Sequence, residues 1–267
     1  MTEQAHNQPI QSATQTDLIR VADRLTQVET NLNQMRNTLH YMQQRMEQQY
    51  HELNYADLLH DTIGASPWLQ DKTLSLFGWA ANYSFIYLLY RILDKVQPTR
   101  ILEMGLGQTT KLTTQYVNHK NQTAQLDVCE HSREWIDVYR PELIVCDRVH
   151  LHQMSLTTFE HNGRQNDKYA DMTAVAGDTR FDLIIVDGPK GADQNLPRSN
   201  ILDLIPNLAD EFIIIMDDAE RAGERDTIAA LTAALDGCQK PYTTFTRFGT
   251  KTQQVITSPG RAFVQFL

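Results

Sequence analysis

The chain has 267 residues, which is enough for one substantial domain and an accessory segment. Its formal net charge of −9 gives no electrostatic footprint for DNA or RNA, so we expect no nucleic-acid partner. Its three cysteines, Cys129, Cys146 and Cys238, are far apart in the sequence, which excludes a CxxC zinc or redox motif and fits a reducing cytoplasm.

The amino-terminal residues show no targeting signal. Residues 1–15 are rich in Gln, Thr, Ser and Asn, and we expect them to be disordered. They lack the basic and apolar regions of a signal peptide. The most apolar helical segment, residues 85–93, is too short for a bilayer span, which needs about 20 apolar residues. These patterns predict a cytoplasmic protein without a transmembrane segment.

Residues 16–60 carry a heptad repeat, the period at which helices form left-handed coiled coils. One helix cannot bury so narrow an apolar stripe, so the pattern predicts a homo-oligomer joined through this segment. The alternative is a single amphipathic helix that folds back along its own domain. If a coiled coil forms, the pattern leaves the number of strands open between two, three and four. The seam, interrupted at Gln49, consists of Leu18, Val21, Leu25, Val28, Leu32, Met35, Leu39, Met42, Met46 and Leu53.

A glycine-containing stretch, RILEMGLGQTT at residues 100–110, is the most informative part of the sequence. An apolar run, an acidic residue and two glycines precede a helix-compatible segment, as at the start of a nucleotide-binding βα unit. Gly105 and Gly107 carry no Cβ, so the backbone can turn sharply and approach a ligand. Taken alone, the stretch fits an ordinary tight turn equally well.

Later apolar segments follow in the order that a doubly wound α/β domain requires. Because open parallel sheets bind ligands at the carboxyl ends of their strands, the residues that follow those strands are candidate site residues. Three predicted strands end at acidic residues: residues 126–129 at Glu130, residues 181–186 at Asp187, and residues 212–216 at Asp217 and Asp218.

The remaining segments complete this pattern. Residues 149–152 are predicted to form another strand, and residues 154–180 a long loop. Helices are predicted over residues 72–96, over residues 132–140 with Ser132 as the N-cap, and over residues 219–235. The tail has β-favouring residues at 242–248, 254–257 and 262–267, which predicts a terminal antiparallel pair added to the parallel sheet.

These motifs resemble the class I S-adenosylmethionine-dependent methyltransferases over residues 74–267, within a predicted domain at 68–267. The matching residues are Glu103, Gly105 and Gly107 of the E-x-G-x-G loop, with Glu130 and Asp187 at later strand ends. The segments ILEMGLGQTTKL, CEHSREW, FDLIIVDGPKG and IIIMDDAER more narrowly resemble small methyltransferases found with bacterial surface-polysaccharide genes.

The resemblance implies a Rossmann-like, doubly wound, mostly parallel sheet that binds S-adenosylmethionine. Besides the motif residues, it implies cofactor contacts from His131, Gln153 and Met154. Thr109 replaces the usual third glycine of the loop, where it would crowd the cofactor. The segment before the first strand either packs on the sheet or covers the pocket with Trp79, Asn82 and Tyr83.

Asp187, Asp217 and Asp218 are predicted to meet at neighbouring strand ends, where three carboxylates would repel one another unless they are neutralised. A divalent Mg²⁺ or Mn²⁺ ion bound by all three is one solution. The other is ion pairing with Arg221 and Lys190, with Asp187 or Asp218 as the catalytic base. The scattered histidines His119, His131, His150 and His152 are interpreted as surface or strand-end residues rather than catalysts.

The sequence thus predicts methyl transfer to an oxygen of a small or carbohydrate acceptor. A non-catalytic scaffold, in which the coiled coil carries a degenerate binding domain, is the alternative. An NAD-dependent oxidoreductase is less compatible, because Thr110 replaces the last glycine of G-x-G-x-x-G.

Overall fold

The computed structural model describes residues 14–76, 78, 80–191 and 194–267. Of the disorder predicted for residues 1–15, residues 1–13 lie outside this description, whereas Gln15 begins a helix. The contact considered for Trp79 also lies outside it. The chain divides into two compact units, one up to Glu47 and one from Gln48 onward. This division falls inside the heptad segment predicted at 16–60.

The first helix, α1 (Gln15–Gly64), has 50 residues, which confirms the long amino-terminal helix that the heptad spacing predicts. In the first unit its seam side chains are all exposed, from 51% at Val28 to 67% at Met46. Among the helices in the described part of the chain, none is both long enough and apolar enough to cross a membrane.

The second unit contains a seven-stranded, mostly parallel sheet with strand order β3-β2-β1-β6-β7-β9-β8. Strands β8 and β9 run antiparallel to their neighbours, and the other five are parallel, which confirms the predicted Rossmann-like sheet with its terminal antiparallel pair. The strands of this sheet are β1 (Arg100–Met104), β2 (Gln125–Glu130), β3 (Val149–Gln153), β6 (Phe181–Val186), β7 (Leu208–Met216), β8 (Thr243–Phe248) and β9 (Thr252–Thr257). Strands β4 (Leu156–His161) and β5 (Arg164–Tyr169) lie outside it and pair with each other.

Two apolar layers cover the sheet, one on each face, because the central strands are apolar at almost every position. Consecutive side chains such as Ile185 and Val186 point to opposite faces, and both are fully buried, one in each layer. The remaining helices are α2 (Tyr83–Lys95), α3 (Gln108–His119), α4 (Arg133–Tyr139), α5 (Met172–Ala176), α6 (Asn200–Asp203) and α7 (Ala222–Gly237).

The predicted long loop at residues 154–180 is wrong. It contains the antiparallel hairpin of β4 and β5, followed by α5. Asn162 and Gly163 form the turn with φ of +49° and +73°, the left-handed conformation that Asn-Gly favours in two-residue hairpins. The strands escaped prediction because most of their side chains are polar on both faces, so no apolar alternation marks them.

Two other boundaries differ from the predictions. Helix α2 begins at Tyr83 instead of residue 72, because the Asn82 side chain accepts a hydrogen bond from the Phe85 N–H and caps the helix there. The tail at residues 262–267 lies in a 3₁₀ helix, Pro259–Phe266, and not in a strand. The cap of α4 is as predicted, since Ser132 accepts from the Trp135 N–H.

Glu52 of α1 fixes the surrounding parts of the second unit. Its buried carboxylate accepts hydrogen bonds from the Tyr83 N–H, from Asn82 Nδ2 at 2.7 Å and from the Thr250 N–H at 2.9 Å. Three segments distant in sequence therefore meet at one carboxylate, which satisfies the backbone N–H groups of Tyr83 and Thr250.

Glu103 fixes α3 to the end of β1. Its fully buried carboxylate accepts hydrogen bonds from the hydroxyls of Thr109, Thr110 and Thr113. Burial raises the pKa of Glu103 from 4.5 to about 7, although the three hydroxyls act to lower it. The motif acid is therefore placed as an internal anchor of the glycine loop.

We predict that Glu103→Gln removes a pH dependence of stability. The raised pKa means that the contribution of Glu103 to stability is complete below pH 4.5 and is lost as the pH rises through about 7, a change of roughly 3 kcal/mol. Because glutamine does not titrate, the free energy of unfolding of the variant relative to wild type should increase with pH. Urea denaturation at about pH 5 and about pH 8 measures this difference.

Glu160→Gln, at an exposed position of β4, is the matched control, and it should leave the pH dependence of wild type unchanged. Parallel stability profiles for wild type and Glu103→Gln would contradict the raised pKa.

Candidate functional site

A cavity of about 290 Å³ lies where the carboxyl ends of β1, β2, β6 and β7 come together. Five of the residues predicted from the sequence line it, namely Gly105, Glu130, His131, Asp187 and Asp218. The other lining residues are Leu106, Ser132, Trp135, Gly188, Pro189, Lys190, Arg198, Arg221 and Lys251. The predicted sheet edge therefore carries a concave site.

Gly105 allows the ends of β1 and β6 to touch through their backbones. Its φ is +96°, and a Cβ at this position would lie 2.9 Å from the carbonyl carbon of Asp187. A Cβ on Gly188 would in turn lie 2.8 Å from the Gly105 Cα. Neither position accepts a side chain without separating the two strand ends.

Gly107 is a glycine of a different kind. It caps the amino end of α3 with an extended φ of −175°, and a Cβ built there would meet nothing within 4 Å. The conformation and the packing of the protein thus permit another residue at this position. The absence of a side chain leaves open space beside the amino end of the helix. Backbone N–H groups at such an end favour polar or anionic ligand groups.

Glu130 presents a hydrogen-bonded carboxylate at the end of β2. Its Oε2 accepts from the Leu106 N–H at 3.1 Å, and its Oε1 accepts from the N–H groups of His131 and Ser132, both at 2.8 Å. His131 Nδ1 also lies 2.8 Å from Oε1. A carboxylate has about four lone-pair sites, so the remaining capacity for a donor is at Oε2. The side chain is thus positioned to accept hydrogen bonds from a hydroxylated ligand.

Four predicted contact residues lie elsewhere. Glu103 and Thr109 are buried beneath the loop and bond to each other, so the Thr109 side chain does not crowd the cavity. Gln153 and Met154 line a separate groove of about 450 Å³ beside α5. The cofactor roles inferred for these four residues stay predictions.

The three aspartates meet as predicted, with carboxylate oxygens within 4.8 Å of one another. Arg198, whose side chain is 3% exposed, lies among them. Its Nη2 is 2.6 Å from Asp218 Oδ2 and 3.4 Å from Asp187 Oδ1, and its Nη1 donates to the Asp217 carbonyl oxygen at 2.8 Å. A guanidinium therefore occupies the centre of the acidic cluster.

Two more cations contact the aspartates. Arg221 Nη2 lies 2.8 Å from Asp218 Oδ1, while Lys251 Nζ lies 3.6 Å from Asp217 Oδ2 and 3.8 Å from Asp218 Oδ1. The sequence suggested Arg221 and Lys190 as the neutralising cations. Arg221 is paired with Asp218, and Lys190 lines the cavity. Arg198 and Lys251 were missed.

The cluster is also hydrogen-bonded to the Glu52 anchor. Gln253 Nε2 is 2.7 Å from Asp217 Oδ1 and 3.0 Å from Asn82 Oδ1, and Asn82 donates in turn to Glu52. Asn82 is therefore buried within this chain of hydrogen bonds, and neither it nor Tyr83 is among the residues lining the cavity.

Burial shifts the protonation of the cluster. Desolvation and the neighbouring Asp217 raise the pKa of Asp187 well above its ordinary value. Desolvation and Asp218 raise the pKa of Asp217 in the same direction. The cations oppose both shifts, and the site therefore combines a strongly paired Asp218 with an Asp187 that is a stronger base than an exposed aspartate.

No protein-family model matches this sequence, and no curated protein matches it. Solved structures do match its fold. The O-methyltransferase TomG from Streptomyces achromogenes, crystallised with SAM, shares 16% identity with a TM-score of 0.50, covering 80% of this chain and 99% of that chain.

A putative O-methyltransferase from Klebsiella pneumoniae shares 20% identity with a TM-score of 0.43, covering 69% of this chain and 83% of that chain. A methyltransferase from Geobacter sulfurreducens shares 17% identity with a TM-score of 0.44, covering 67% of this chain and 81% of that chain. At these identities the likeness to TomG shows the fold alone, and this chain has the same Rossmann-like α/β fold.

Proposed function

We propose that this protein is a cytoplasmic S-adenosylmethionine-dependent methyltransferase that acts on an oxygen of a small or carbohydrate acceptor. The observation that carries the proposal is the Glu130 carboxylate, which is held by three backbone N–H groups at the edge of the cavity. The fold shared with TomG, an O-methyltransferase, supports the same activity. The carbohydrate acceptor rests on the sequence motifs that resemble polysaccharide-associated methyltransferases.

The cavity wall fits the proposed cofactor by its chemistry. Glu130 would accept hydrogen bonds from ribose hydroxyls. Gly107 is not among the residues lining the cavity, but it follows Leu106 of the wall and leaves open space beside the amino end of α3. When bound, the cofactor would supply a methyl group on a sulfonium: the acceptor oxygen would attack the methyl carbon in line, and the sulfur would leave as a neutral thioether. Aligning the two reactants is the largest task left to the protein.

Asp187 is the base that we favour for the acceptor proton. Both oxygens of Asp218 are within 2.8 Å of arginine nitrogens, whereas Asp187 contacts Arg198 at 3.4 Å and is 21% exposed. Its raised pKa brings it closer to the range in which a general base works at neutral pH. Asp218 would position Arg198 and Arg221 around the acceptor.

The binding of S-adenosylhomocysteine, measured by titration calorimetry, tests the cofactor site. Wild type should bind it, and Glu130→Gln should weaken binding by about 10- to 100-fold, the equivalent of one hydrogen bond to a charged group. Gly107→Ala should also weaken binding without lowering the melting temperature, because a Cβ there meets no protein atom within 4 Å.

Glu134→Gln, at an exposed position of α4, is the matched control and should bind as wild type does. If wild type does not bind the ligand, the non-catalytic scaffold becomes the better explanation. Binding of NADH in place of S-adenosylhomocysteine would favour the oxidoreductase.

We favour ion pairing over Mg²⁺ or Mn²⁺ at the acidic cluster. The oxygen donors suit a hard cation, but Arg198, Arg221 and Lys251 already contact them. Electron paramagnetic resonance of Mn²⁺ should therefore show no binding that depends on these residues. Binding in wild type that Asp218→Asn weakens would instead establish the metal site.

The exposed seam of α1 supports assembly into a homo-oligomer through a coiled coil. In a parallel, in-register pair Arg24 would face Glu29 of the second copy, and the apolar seam would be buried between the helices. Sedimentation of the full chain should show an oligomer that Leu25→Asp and Leu32→Asp together convert to a monomer. Gln27→Asp with Gln34→Asp, outside the seam, should leave it assembled. A monomeric wild type would refute the coiled coil.

A further inference from the structure

A second group of metal-ligand side chains lies away from the cavity, at the edge of the sheet. Asp127 on β2 is the cross-strand partner of His150 on β3, and His152 follows two positions later on the same face. One oxygen of Asp127, Nδ1 of His150 and Nε2 of His152 all lie within 4.8 Å of one another. Strand β3 is the edge strand, and the side chains of His150 and His152 are 48% and 31% exposed, so solvent reaches the cluster.

The contacts of His150 place an acceptor oxygen at each of its ring nitrogens. Its Nε2 is 3.1 Å from the backbone carbonyl oxygen of Asp147, which can only accept, so Nε2 carries a hydrogen. In a neutral imidazole the other nitrogen, Nδ1, then has a lone pair. That lone pair faces Asp127 Oδ1 at 3.3 Å, which is also an acceptor. A metal ion bound by both atoms would use the two lone pairs that face each other here.

The same oxygen of Asp127 also faces a second imidazole, since His152 Nε2 is 2.8 Å away. All three side chains are partly exposed, so an ion can enter and keep water as a further ligand. Two imidazoles and one carboxylate suit zinc and its neighbours in the first transition row better than Mg²⁺ or Ca²⁺. A metal-bound histidine usually donates its second ring N–H to a carboxylate or a backbone carbonyl, and the Asp147 carbonyl would accept this hydrogen bond from His150.

We propose that Asp127, His150 and His152 bind a Zn²⁺ ion that joins β2 to the edge strand β3. The ion would stabilise the folded chain because the ligands are adjacent only after the strands pair. The site is independent of the cavity and of the proposed methyl transfer.

Calorimetric titration with ZnCl₂ tests the site, using the untagged full chain after treatment with a chelator. The protein should carry Cys238→Ser, because the exposed thiol of Cys238 would bind zinc by itself. We expect one ion per chain, and His152→Ala should weaken its affinity at least about 10-fold. Zn²⁺ should also raise the melting temperature of the parent protein but not that of the variant.

His119→Ala removes an exposed histidine from the end of α3 and is the matched control; it should leave the affinity unchanged. Asp127→Asn preserves the size of the side chain and serves as the second variant if His152→Ala folds poorly. Failure of Zn²⁺ to bind, or equal binding by the parent and both cluster variants, would overturn the proposal.

Discussion

The candidate site depends on one buried guanidinium. Arg198 joins Asp187, at the end of β6, to Asp218, at the end of β7, and it also holds the backbone carbonyl of Asp217 between them. Carboxylates on adjacent strands would otherwise repel one another in a region with little water. Removing one member of this buried group would leave the other charges without a partner. The same contacts therefore hold the strand ends in place and set the charge of the cavity wall.

Much of the fold could be predicted because local patterns reflect it directly. The parallel strands are apolar runs buried on both faces, and the heptad spacing identifies α1 before any contact is known. The β4–β5 hairpin could not be found by apolar alternation, because its strands are largely polar on both faces. Its one local signal was the Asn162-Gly163 turn, which the expectation of a long loop passed over.

Only the site residues that directly follow a strand could be predicted from the sequence. Topology alone places Gly105, Glu130, Asp187 and Asp218 at one edge of the sheet. Arg198 comes from the loop before α6 and Lys251 from the turn between β8 and β9, so their contacts depend on tertiary packing that no spacing encodes. Glu103 matches the motif, yet its hydrogen bonds to α3 direct its side chain into the interior.

The burial of Arg198 also bears on how the site responds to its solvent. Mobile ions screen charges over about 8 Å at physiological ionic strength, but only where water and ions can enter. Arg198, Asp217 and Asp218 are almost fully excluded from solvent, unlike the exposed pair of Arg133 and Asp137. The attraction between Arg198 and these aspartates should therefore weaken far less with added salt than the attraction within the exposed pair.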